Sequence, residues 1–248
     1  SHREDVPEEP RADDVPLKFV GHVAKDGLNH VLIPARLDRK RLALAGAVPE
    51  PHLQARHHHR REHRRTDADR EYSIELDPRT VDSARLEKLK AIGFNRFSLG
   101  VQDFDPDVQK AVHRIQDFEM VKRTIEQSRA HGFSSINFDL IYGLPKQNLA
   151  SFTRTLDQVI ELSPDRIALY NYAHLPERFK PQRRIAEADL PTAEQRLEIF
   201  FMSLRRLIEA GYVYIGLDHF AKPDDGLAKA MEDGSLHRNF QGYTTRAE

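Results

Sequence analysis

The sequence predicts an α/β fold with a parallel sheet over residues 71–248. Short apolar strands there alternate with longer helical segments, which is the pattern of repeated βαβ units. A glycine followed by an aromatic residue also recurs where a helix gives way to a strand. The three copies are Ile92-Gly93-Phe94, His131-Gly132-Phe133 and Ala210-Gly211-Tyr212. Glycine takes the left-handed conformation at a helix C-terminus at little cost, so the three copies indicate a repeated architecture. An open doubly wound sheet and a partial barrel both fit this pattern.

The individual elements follow from apolar periodicity and from capping residues. Asp105 before Pro106, and further along Asp117, are typical signals for a helix N-terminus. The predicted strands are 72–76, 96–102, 134–142, 166–173 and 213–220. The predicted helices are 80–92, a short one from 105, 117–131, 148–162, 192–210 and 223–233. The residues of the first helix expected to face the core are Val81, Leu86, Leu89 and Ile92.

Composition and charge exclude several classes of protein. The 248 residues contain no cysteine, which excludes a disulfide framework, a zinc finger, a cysteine nucleophile and an iron–sulfur cluster bound by this chain alone. The formal net charge is -1, so no global field attracts nucleic acid or an anionic membrane. No apolar run is long enough to cross a bilayer, and the polar start is unlike a signal peptide. We therefore expect a cytoplasmic protein with no nucleic-acid or membrane partner.

Residues 1–70 differ in composition from the rest of the chain. They contain 8 of the 13 histidines but only one of the 13 phenylalanines, Phe19, and none of the 7 tyrosines. Because aromatic side chains supply much of a core's buried area, we predict that this segment is poorly ordered. Within it, 28–37 is at most a short strand and 42–48 a short helix. The run 57–59 of three histidines, with His63, is interpreted as solvated charge rather than as a metal site, since adjacent side chains point in different directions.

Polar residues cluster at the carboxyl ends of the predicted strands from residue 71 onward. Ligands bind at those ends in barrels and in doubly wound sheets alike. The strand-end residues are Glu75, Asp77, Gln102, Asp103, Asp139, Asn171, Tyr172, Ala173, His174, Asp218 and His219. A purely structural sheet does not need polar groups at every strand end. The pattern therefore indicates a polar pocket and favours an enzyme.

Some of these strand-end residues have a simpler structural explanation. Asp77 and Asp103 stand before helical segments and fit turn or helix-cap roles. Glu75, Gln102 and Asp139 lie within or at the end of buried strands, where a carboxylate must be paired or hydrogen-bonded. A ligand-facing role is therefore favoured for these three. The sequence contains no GxGxxG, P-loop, H-E-x-x-H or GxSxG motif.

Six strings of residues 71–248 carry a family resemblance. They are EYSIELDPR (71–79), GFNRFSLGVQDFDPDVQKAVHR (93–114), NFDLIYGLPKQ (137–147), DRIALYNYAHLP (165–176), GLDHFAKPDD (216–225) and LHRNFQGYTT (236–245). On these strings the segment resembles the oxygen-independent coproporphyrinogen III oxidases, which belong to the radical S-adenosylmethionine (SAM) superfamily. The resemblance implies an incomplete (β/α)6 barrel of the radical SAM type, with about four of six units, and does not extend to residues 1–70.

The resemblance also implies a reaction, cofactors and site residues. In this family two propionate side chains of coproporphyrinogen III are oxidatively decarboxylated to vinyl groups, giving protoporphyrinogen IX in haem biosynthesis. The enzymes are expected to be monomers that use an electron donor, a [4Fe–4S] cluster and two SAM molecules. At matching positions Glu75 would bind the cluster-bound SAM. The residues that would surround the second SAM are Gln102, Arg114, Asp139 and Ala173. These residue types suit the ligand, because carboxylates bind its hydroxyls or ammonium and an arginine binds its carboxylate.

The sequence also departs from the family. The cluster is bound in the family by CxxxCxxC, and a GGGTP stretch contacts SAM; residues 1–70 contain neither motif. The chain ends soon after HRNFQGYTT, without the family's last barrel segment and C-terminal domain. We therefore expect a fragment or defective copy of the oxidase that is inactive alone. A shifted reading frame, a gene fusion or a degraded gene would explain residues 1–70, and the upstream DNA sequence distinguishes these origins.

Two other functions remain open from the sequence. One is a cluster-free porphyrin- or haem-binding protein related to the haem-trafficking branch of the superfamily. The other is an unrelated barrel hydrolase with a divalent metal at Asp139, His174 and Asp218, although no spacing fixes the geometry of those ligands.

Overall fold

The structure, a computed structural model, describes residues 18–20, 34–36, 71–239 and 242–245. The strands described there are β1 Lys18–Val20, β2 Pro34–Arg36, β3 Ser73–Leu76, β4 Arg96–Gln102, β5 Ser135–Tyr142, β6 Arg166–Asn171, β7 Val213–Gly216, β8 His219–Ala221, β9 His237–Asn239 and β10 Gly242–Thr244. The α-helices are α1 Ser83–Ala91, α2 Pro106–Ala111, α3 Phe118–Ala130, α4 Leu149–Leu162, α5 Ala193–Glu209 and α6 Gly226–Glu232. Short 3-10 helices cover Pro78–Thr80, Lys180–Arg184 and Glu187–Asp189.

Six of these strands form one sheet in the order β3-β4-β5-β6-β8-β7. The first four are parallel, and each lies beside its neighbour in the chain. Because crossovers between parallel strands are right-handed, an order without reversal puts the connecting helices on one face of the sheet. A doubly wound sheet reverses its strand order and carries helices on both faces. The described part of the chain is therefore a partial α/β barrel, which confirms the predicted fold class.

Alternate residues of the strands build the core on the helix side of the sheet. One row of paired residues on that face is almost completely buried: Leu76, Leu99, Phe138, Ile167 and Phe220. Fully buried side chains of the helices, such as Leu156 of α4 and Leu207 of α5, pack in the same core. Since successive strand residues point to opposite faces, the residues between the core positions line the face opposite the connecting helices. At the β7–β8 end of that face, Leu227 and Ala228 of α6 pack against Ile215 and Ala221. That face is where the candidate site lies.

The three glycine–aromatic signals end their helices as predicted. Gly93, Gly132 and Gly211 all have positive φ, between 78° and 101°. After α3, the Phe133 amide donates to the Ser128 carbonyl at 3.1 Å, which satisfies a carbonyl at the helix end. The same bond recurs after α1 and α5, and the three aromatic rings pack on the core. These caps set where each following strand begins.

The predicted helix 80–92 is wrong at both ends. Asp77 caps the 3-10 helix Pro78–Thr80, and Asp82 then accepts from the Arg85 amide at 2.7 Å to begin α1. The segment therefore contains two helices, each with its own capping carboxylate, rather than one continuous helix. Ile92 was expected to face inward, but it is 55% exposed because α1 ends one residue before it.

The predicted strand 213–220 is a hairpin. β7 and β8 pair antiparallel around Leu217 and Asp218, and positive φ angles at Gly216 and Leu217 turn the chain. β8 then lies beside β6, so that His219 pairs with Ala168 and faces the same side of the sheet. The predicted strand 166–173 likewise ends early, at Asn171.

Part of residues 1–70 is described only as β1 and β2, which pair antiparallel. β2 falls within the predicted segment 28–37. The predicted helix 42–48 and the histidine run lie outside the described residues, and the predicted disorder of the segment stays a prediction. Among the residues that the structure describes, no helix has the length and apolar character needed to cross a membrane.

A helix-cap variant tests this account of the fold. Gly132→Ala leaves room for the new Cβ, whose nearest neighbour is Lys90 Cε at 3.8 Å, but the φ of +78° strains an L residue. We expect a loss of about 1–2 kcal/mol in the free energy of unfolding, measured by chemical denaturation. Gly226→Ala, at the start of α6 with ordinary space around its Cβ, serves as the matched control. Equal effects of the two substitutions would contradict the capping role.

Candidate functional site

A cluster of polar groups occupies the face of the sheet opposite the connecting helices. Glu75, Ser98 and Asn137 are paired in register on β3, β4 and β5, and Asp139 lies two residues further along β5. Ser98 Oγ donates to Asp139 Oδ2 at 2.6 Å, and Asn137 Nδ2 donates to Asp139 Oδ1 at 2.8 Å. Each carboxylate oxygen of Asp139 thus accepts a hydrogen bond, which favours its charged form.

Glu75, unlike a typical glutamate, is mostly protonated at neutral pH. The pKa of its carboxyl is raised from 4.5 to about 8, first by burial and then by the negative charge of Asp139, against the positive charge of Arg114. Two half-buried carboxyls whose charges repel one another do not both ionise readily. The raised pKa keeps a proton on Glu75 at neutral pH, beside a carboxylate whose two oxygens each accept a hydrogen bond.

Arg114 reaches the end of β4 from the segment that follows α2. Its Nε and Nη2 donate to the Gly100 carbonyl at 3.2 and 2.8 Å, and its Nη1 lies 3.4 Å from Asp77 Oδ2. A Cβ on residue 100 would stand 2.8 Å from both Arg114 Nη2 and Gln102 Nε2. Because Gly100 has no side chain, the Arg114 guanidinium and the Gln102 side-chain amide can both lie next to it at the end of β4.

Gln102 is the last residue of β4 and sits at a bulge. The pairing register with β5 shifts between Gly100 and Gln102, and Gln102 has a φ of 65°, which is unusual for a residue with a side chain. Its side chain is buried, and among the described residues Oε1 has no hydrogen-bond partner. Strained backbone and a buried acceptor without a donor are features that concentrate at functional sites.

Asp77 caps the 3-10 helix Pro78–Thr80, as predicted, whereas Asp103 caps no helix and forms a turn by accepting from the Asp105 amide at 2.7 Å. Asp77 accepts from the Arg79 amide at 3.1 Å; burial raises its pKa, but the hydrogen bonds from Arg79 and nearby positive charges lower it overall. Asp103 is buried and accepts from Thr155 Oγ1 at 2.6 Å and Gln147 Nε2 at 2.5 Å. These bonds connect the end of β4 to α4, through Thr155, and to the segment between β5 and α4, through Gln147.

Ala173 lies two residues beyond the end of β6. Its carbonyl accepts from Gln182 Nε2 at 3.0 Å, and no described contact joins it to Asp139 or Arg114. The nearby Tyr172 hydroxyl and His174 Nδ1 are 3.3 Å apart. Of the five predicted site residues, Glu75, Gln102, Arg114 and Asp139 are thus brought together, whereas Ala173 stands at the rim of the next strand.

Four residues of this face were not anticipated as functional from the sequence: Ser98, Gly100, Asn137 and Tyr170. They lie inside strands rather than at strand ends. The sequence signal that could have identified them is the two-residue periodicity of the strands, which places each of them on the same face as Asp139. Tyr170 also packs edge-to-face against His219, with ring centroids 6.3 Å apart, and His219 packs against Tyr243 at 5.6 Å.

The metal-hydrolase alternative has no structural support. Within the described ranges, no three His, Asp or Glu side chains are arranged to hold a metal ion. Asp139, His174 and Asp218 therefore do not form the suggested divalent-metal site.

This fold and site agree with a match to the family model of the radical SAM superfamily over residues 26–159. The chain belongs to the radical SAM superfamily, whose members use SAM and a [4Fe–4S] cluster. The matched range also includes residues 26–70, which the six strings do not reach.

Its relatives define a narrower group within that superfamily. The chain is 58% identical over 175 residues to an oxygen-independent coproporphyrinogen III oxidase of Pseudomonas aeruginosa, covering 71% of this chain and 38% of that one. It is 52% identical over 188 residues to the Escherichia coli enzyme of the same name, covering 76% and 41%. The solved structure of coproporphyrinogen III oxidase from Escherichia coli, described as a radical SAM enzyme, aligns with a TM-score of 0.71 at 53% identity, covering 73% of this chain and 42% of that one. The chain thus spans about two fifths of the length of these relatives.

The raised pKa of Glu75 makes stability depend on pH. Between about pH 5 and pH 8 the folded chain keeps a proton on Glu75 that the unfolded chain has lost, so this group lowers stability as the pH rises. Glu75→Gln removes the dependence. We expect the variant to gain stability over the original chain by about 1 kcal/mol or more from pH 5 to pH 8, measured by denaturant unfolding.

The exposed Glu126 of α3 provides the control for this measurement. Glu126→Gln makes the same chemical change at an exposed helix position outside the site, and its effect at each pH is the reference for Glu75→Gln. A pH-independent effect of Glu75→Gln would show that Glu75 ionises normally.

Proposed function

We propose that this chain is a fragment or a defective copy of an oxygen-independent coproporphyrinogen III oxidase, an oxidoreductase that oxidatively decarboxylates the propionates of coproporphyrinogen III. The identity of 52–58% to enzymes of that name supports the proposal. The observation on which it chiefly rests is the convergence of Glu75, Gln102, Arg114 and Asp139 on one face of the partial barrel. A cytoplasmic location and a monomeric state remain predictions.

The residues of this face fit SAM chemically. SAM presents a sulfonium, an ammonium, a carboxylate and ribose hydroxyls. The guanidinium of Arg114 suits the carboxylate, and the charged Asp139 suits the ammonium or the hydroxyls. The Oε1 of Gln102, which has no donor among the described residues, can accept from a ligand N–H or O–H. We assign Glu75 to the cluster-bound SAM and the other three, with the backbone at Ala173, to the second SAM. In a complete enzyme of the family, SAM supplies the radical that removes hydrogen from the propionate.

The [4Fe–4S] cluster does not fit this chain. Such a cluster is held by cysteine thiolates, three of them from the CxxxCxxC motif in this family, and the 248 residues contain no cysteine. We therefore derive no reaction step through the cluster. We infer that the chain alone binds SAM on the sheet face without cleaving it. Turnover of coproporphyrinogen III would require cluster ligands and an electron donor from outside these residues.

Binding of SAM should release a proton. A cation placed beside the Glu75–Asp139 pair stabilises the doubly charged form and lowers the pKa of Glu75 below its ligand-free value of about 8. At pH 7 we expect release of close to one proton per SAM bound, and affinity that rises between about pH 6 and pH 8. Calorimetric titrations in two buffers of different ionisation enthalpy measure the proton count.

Two comparisons give this titration its controls. S-adenosylhomocysteine has no sulfonium charge and should bind more weakly, while Glu75→Gln should bind SAM with no proton release. SAM binding with the same proton release in the Gln variant would contradict the role of Glu75. No binding of SAM at any pH would contradict the proposed function.

Cluster reconstitution tests the predicted inactivity. After anaerobic incubation with iron and sulfide, we expect no stoichiometric cluster and no thiolate–iron absorbance band near roughly 400 nm, because the ligands are absent. Consistently, coproporphyrinogen III should remain unchanged when SAM and a strong reductant are added. A stoichiometric cluster, or any decarboxylation, would overturn the inactivity of this chain.

A further inference from the structure

Arg114 lies in the turn between α2 and α3, and the way this turn is closed decides where its guanidinium lies. α2 ends at Ala111, and His113 has a φ of 53°, which residues with a side chain rarely adopt. The His113 amide donates to the Lys110 carbonyl at 3.2 Å, and the Arg114 amide donates to the Gln109 carbonyl at 2.9 Å. These two bonds form a Schellman motif, in which glycine usually occupies the position of His113. The turn is therefore closed at a cost in backbone strain.

The side chain of Gln109 holds the far end of the same turn. It is buried and bonds both backbone groups of Gln116: the Gln116 amide donates to Gln109 Oε1 at 3.1 Å, and Gln109 Nε2 donates to the Gln116 carbonyl at 2.6 Å. Gln109 Nε2 also donates to the Asp103 carbonyl at 2.9 Å, just after β4. Ile115, between Arg114 and Gln116, is 66% exposed and contributes little packing. Hydrogen bonds rather than apolar contacts therefore attach this turn to the fold.

The side chain of Gln116 attaches the turn to the end of β4. Gln116 is 1% exposed, and its Nε2 donates to the Gly100 carbonyl at 3.2 Å and to the Val101 carbonyl. The pairing register of β4 with β5 shifts at this point, between Gly100 and Gln102. Arg114 Nε and Nη2 donate to the same Gly100 carbonyl. One backbone oxygen thus accepts from both Gln116 and Arg114, which fixes the two side chains relative to each other.

The orientation of the Gln116 amide follows from these neighbours. Carbonyl oxygens only accept hydrogen bonds, so the amide must present Nε2 to Gly100 and Val101. Its Oε1 is then buried, and among the described residues it has no hydrogen-bond partner. A buried acceptor without a donor costs free energy, as does the left-handed backbone at His113. Costs of this kind are typical of functional sites.

We propose that Gln116, together with Gln109, is a positioning residue for Arg114. The two amides hold the turn so that the guanidinium lies beside Gln102 at the end of β4, where it can bind a ligand carboxylate. The proposal rests on the proposed function in that this carboxylate is that of SAM. Because a pairing of arginine with a carboxylate depends on geometry, a shift of the turn should weaken recognition of the carboxylate and leave the rest of the ligand unaffected.

Hydrogen exchange in the ligand-free chain tests the positioning by itself. Gln116→Met keeps the length of the side chain and removes both of its hydrogen bonds to β4. The Nε–H of Arg114 donates to the Gly100 carbonyl at 3.2 Å, and its exchange with solvent can be followed by 15N NMR. In the variant this exchange should become faster by roughly tenfold, because the guanidinium is no longer held in place. An unchanged rate in the folded variant would overturn the proposal.

Two ligands that differ by one carboxylate separate positioning from a general loss of stability. Decarboxylated SAM keeps the sulfonium, the amine and the adenosine of SAM but lacks the group that Arg114 would bind. Gln116→Met should weaken SAM binding by about tenfold and leave the binding of decarboxylated SAM nearly unchanged, as measured by calorimetric titration. Equal weakening of both ligands, or no weakening of SAM, would overturn the proposal.

Tyr212→Phe is the matched control for the loss of a buried hydrogen bond. The Tyr212 hydroxyl donates to the Pro164 carbonyl at 2.8 Å, just before β6 and outside the site. This variant should be less stable than the original chain but should keep both its exchange rate at Arg114 and its preference for SAM over decarboxylated SAM. A loss of preference as large as that of Gln116→Met would overturn the proposal.

Two further variants make the test independent of how well Gln116→Met folds. Gln116→Asn keeps a polar amide but is one methylene shorter, so it should lose the preference for SAM; an Asn variant with the full preference would overturn the proposal. In an Arg114→Met background, the further change Gln116→Met should have no effect on the preference. An undiminished effect there would show that Gln116 does not act through Arg114.

The exchange measurement contains no SAM, so its outcome is separate from that of the proposed function. Faster exchange at Arg114 in Gln116→Met, with no SAM bound by the original chain, would support the positioning and contradict the ligand. Unchanged exchange in that variant, with SAM bound by the original chain, would overturn the positioning and leave the proposed function standing.

Discussion

The unreversed parallel order of β3, β4, β5 and β6 is the constraint on which the rest of this structure depends. It forces the connecting helices to one side, where one half of each strand's side chains becomes a core that includes Phe138 and Leu99. The other half faces away from the connecting helices, and polar residues are tolerated there on β3, β4 and β5. Because the strands are parallel and in register, Glu75, Ser98 and Asn137 then align across three strands. The site is thus a by-product of the same periodicity that builds the core.

The charged groups on this polar face determine its chemistry. Two carboxyls close together in a partly buried place share a proton, and one arginine nearby does not fully compensate them. The arrangement costs stability in the ligand-free chain, as sites prepared for a charged ligand commonly do. It also separates two functions that a complete radical SAM enzyme combines. The side chains that suit SAM lie on β3 to β5 and just after α2, whereas the cluster ligands are not part of this chain.

Much of this could be predicted from the sequence, for identifiable reasons. Strand ends and capping carboxylates are local signals, and they placed Glu75, Gln102 and Asp139 and explained Asp77. Arg114 lies twelve residues beyond the end of β4, so only the family resemblance singled it out. The proton on Glu75 depends on the distance between strands and was not accessible from the pattern. Neither was the β7–β8 hairpin, because Leu217 adopts a positive φ that its residue type does not favour.

A crystal structure of the chain with SAM tests the central claim most directly, which is that the face opposite the connecting helices binds SAM in the absence of a cluster. The account predicts SAM on that face, with its carboxylate near Arg114, a cationic group near Asp139 and a donor to Gln102 Oε1. SAM bound at another surface, or a Gln102 Oε1 that is hydrogen-bonded within the protein while the face stays free of ligand at saturating SAM, would contradict it.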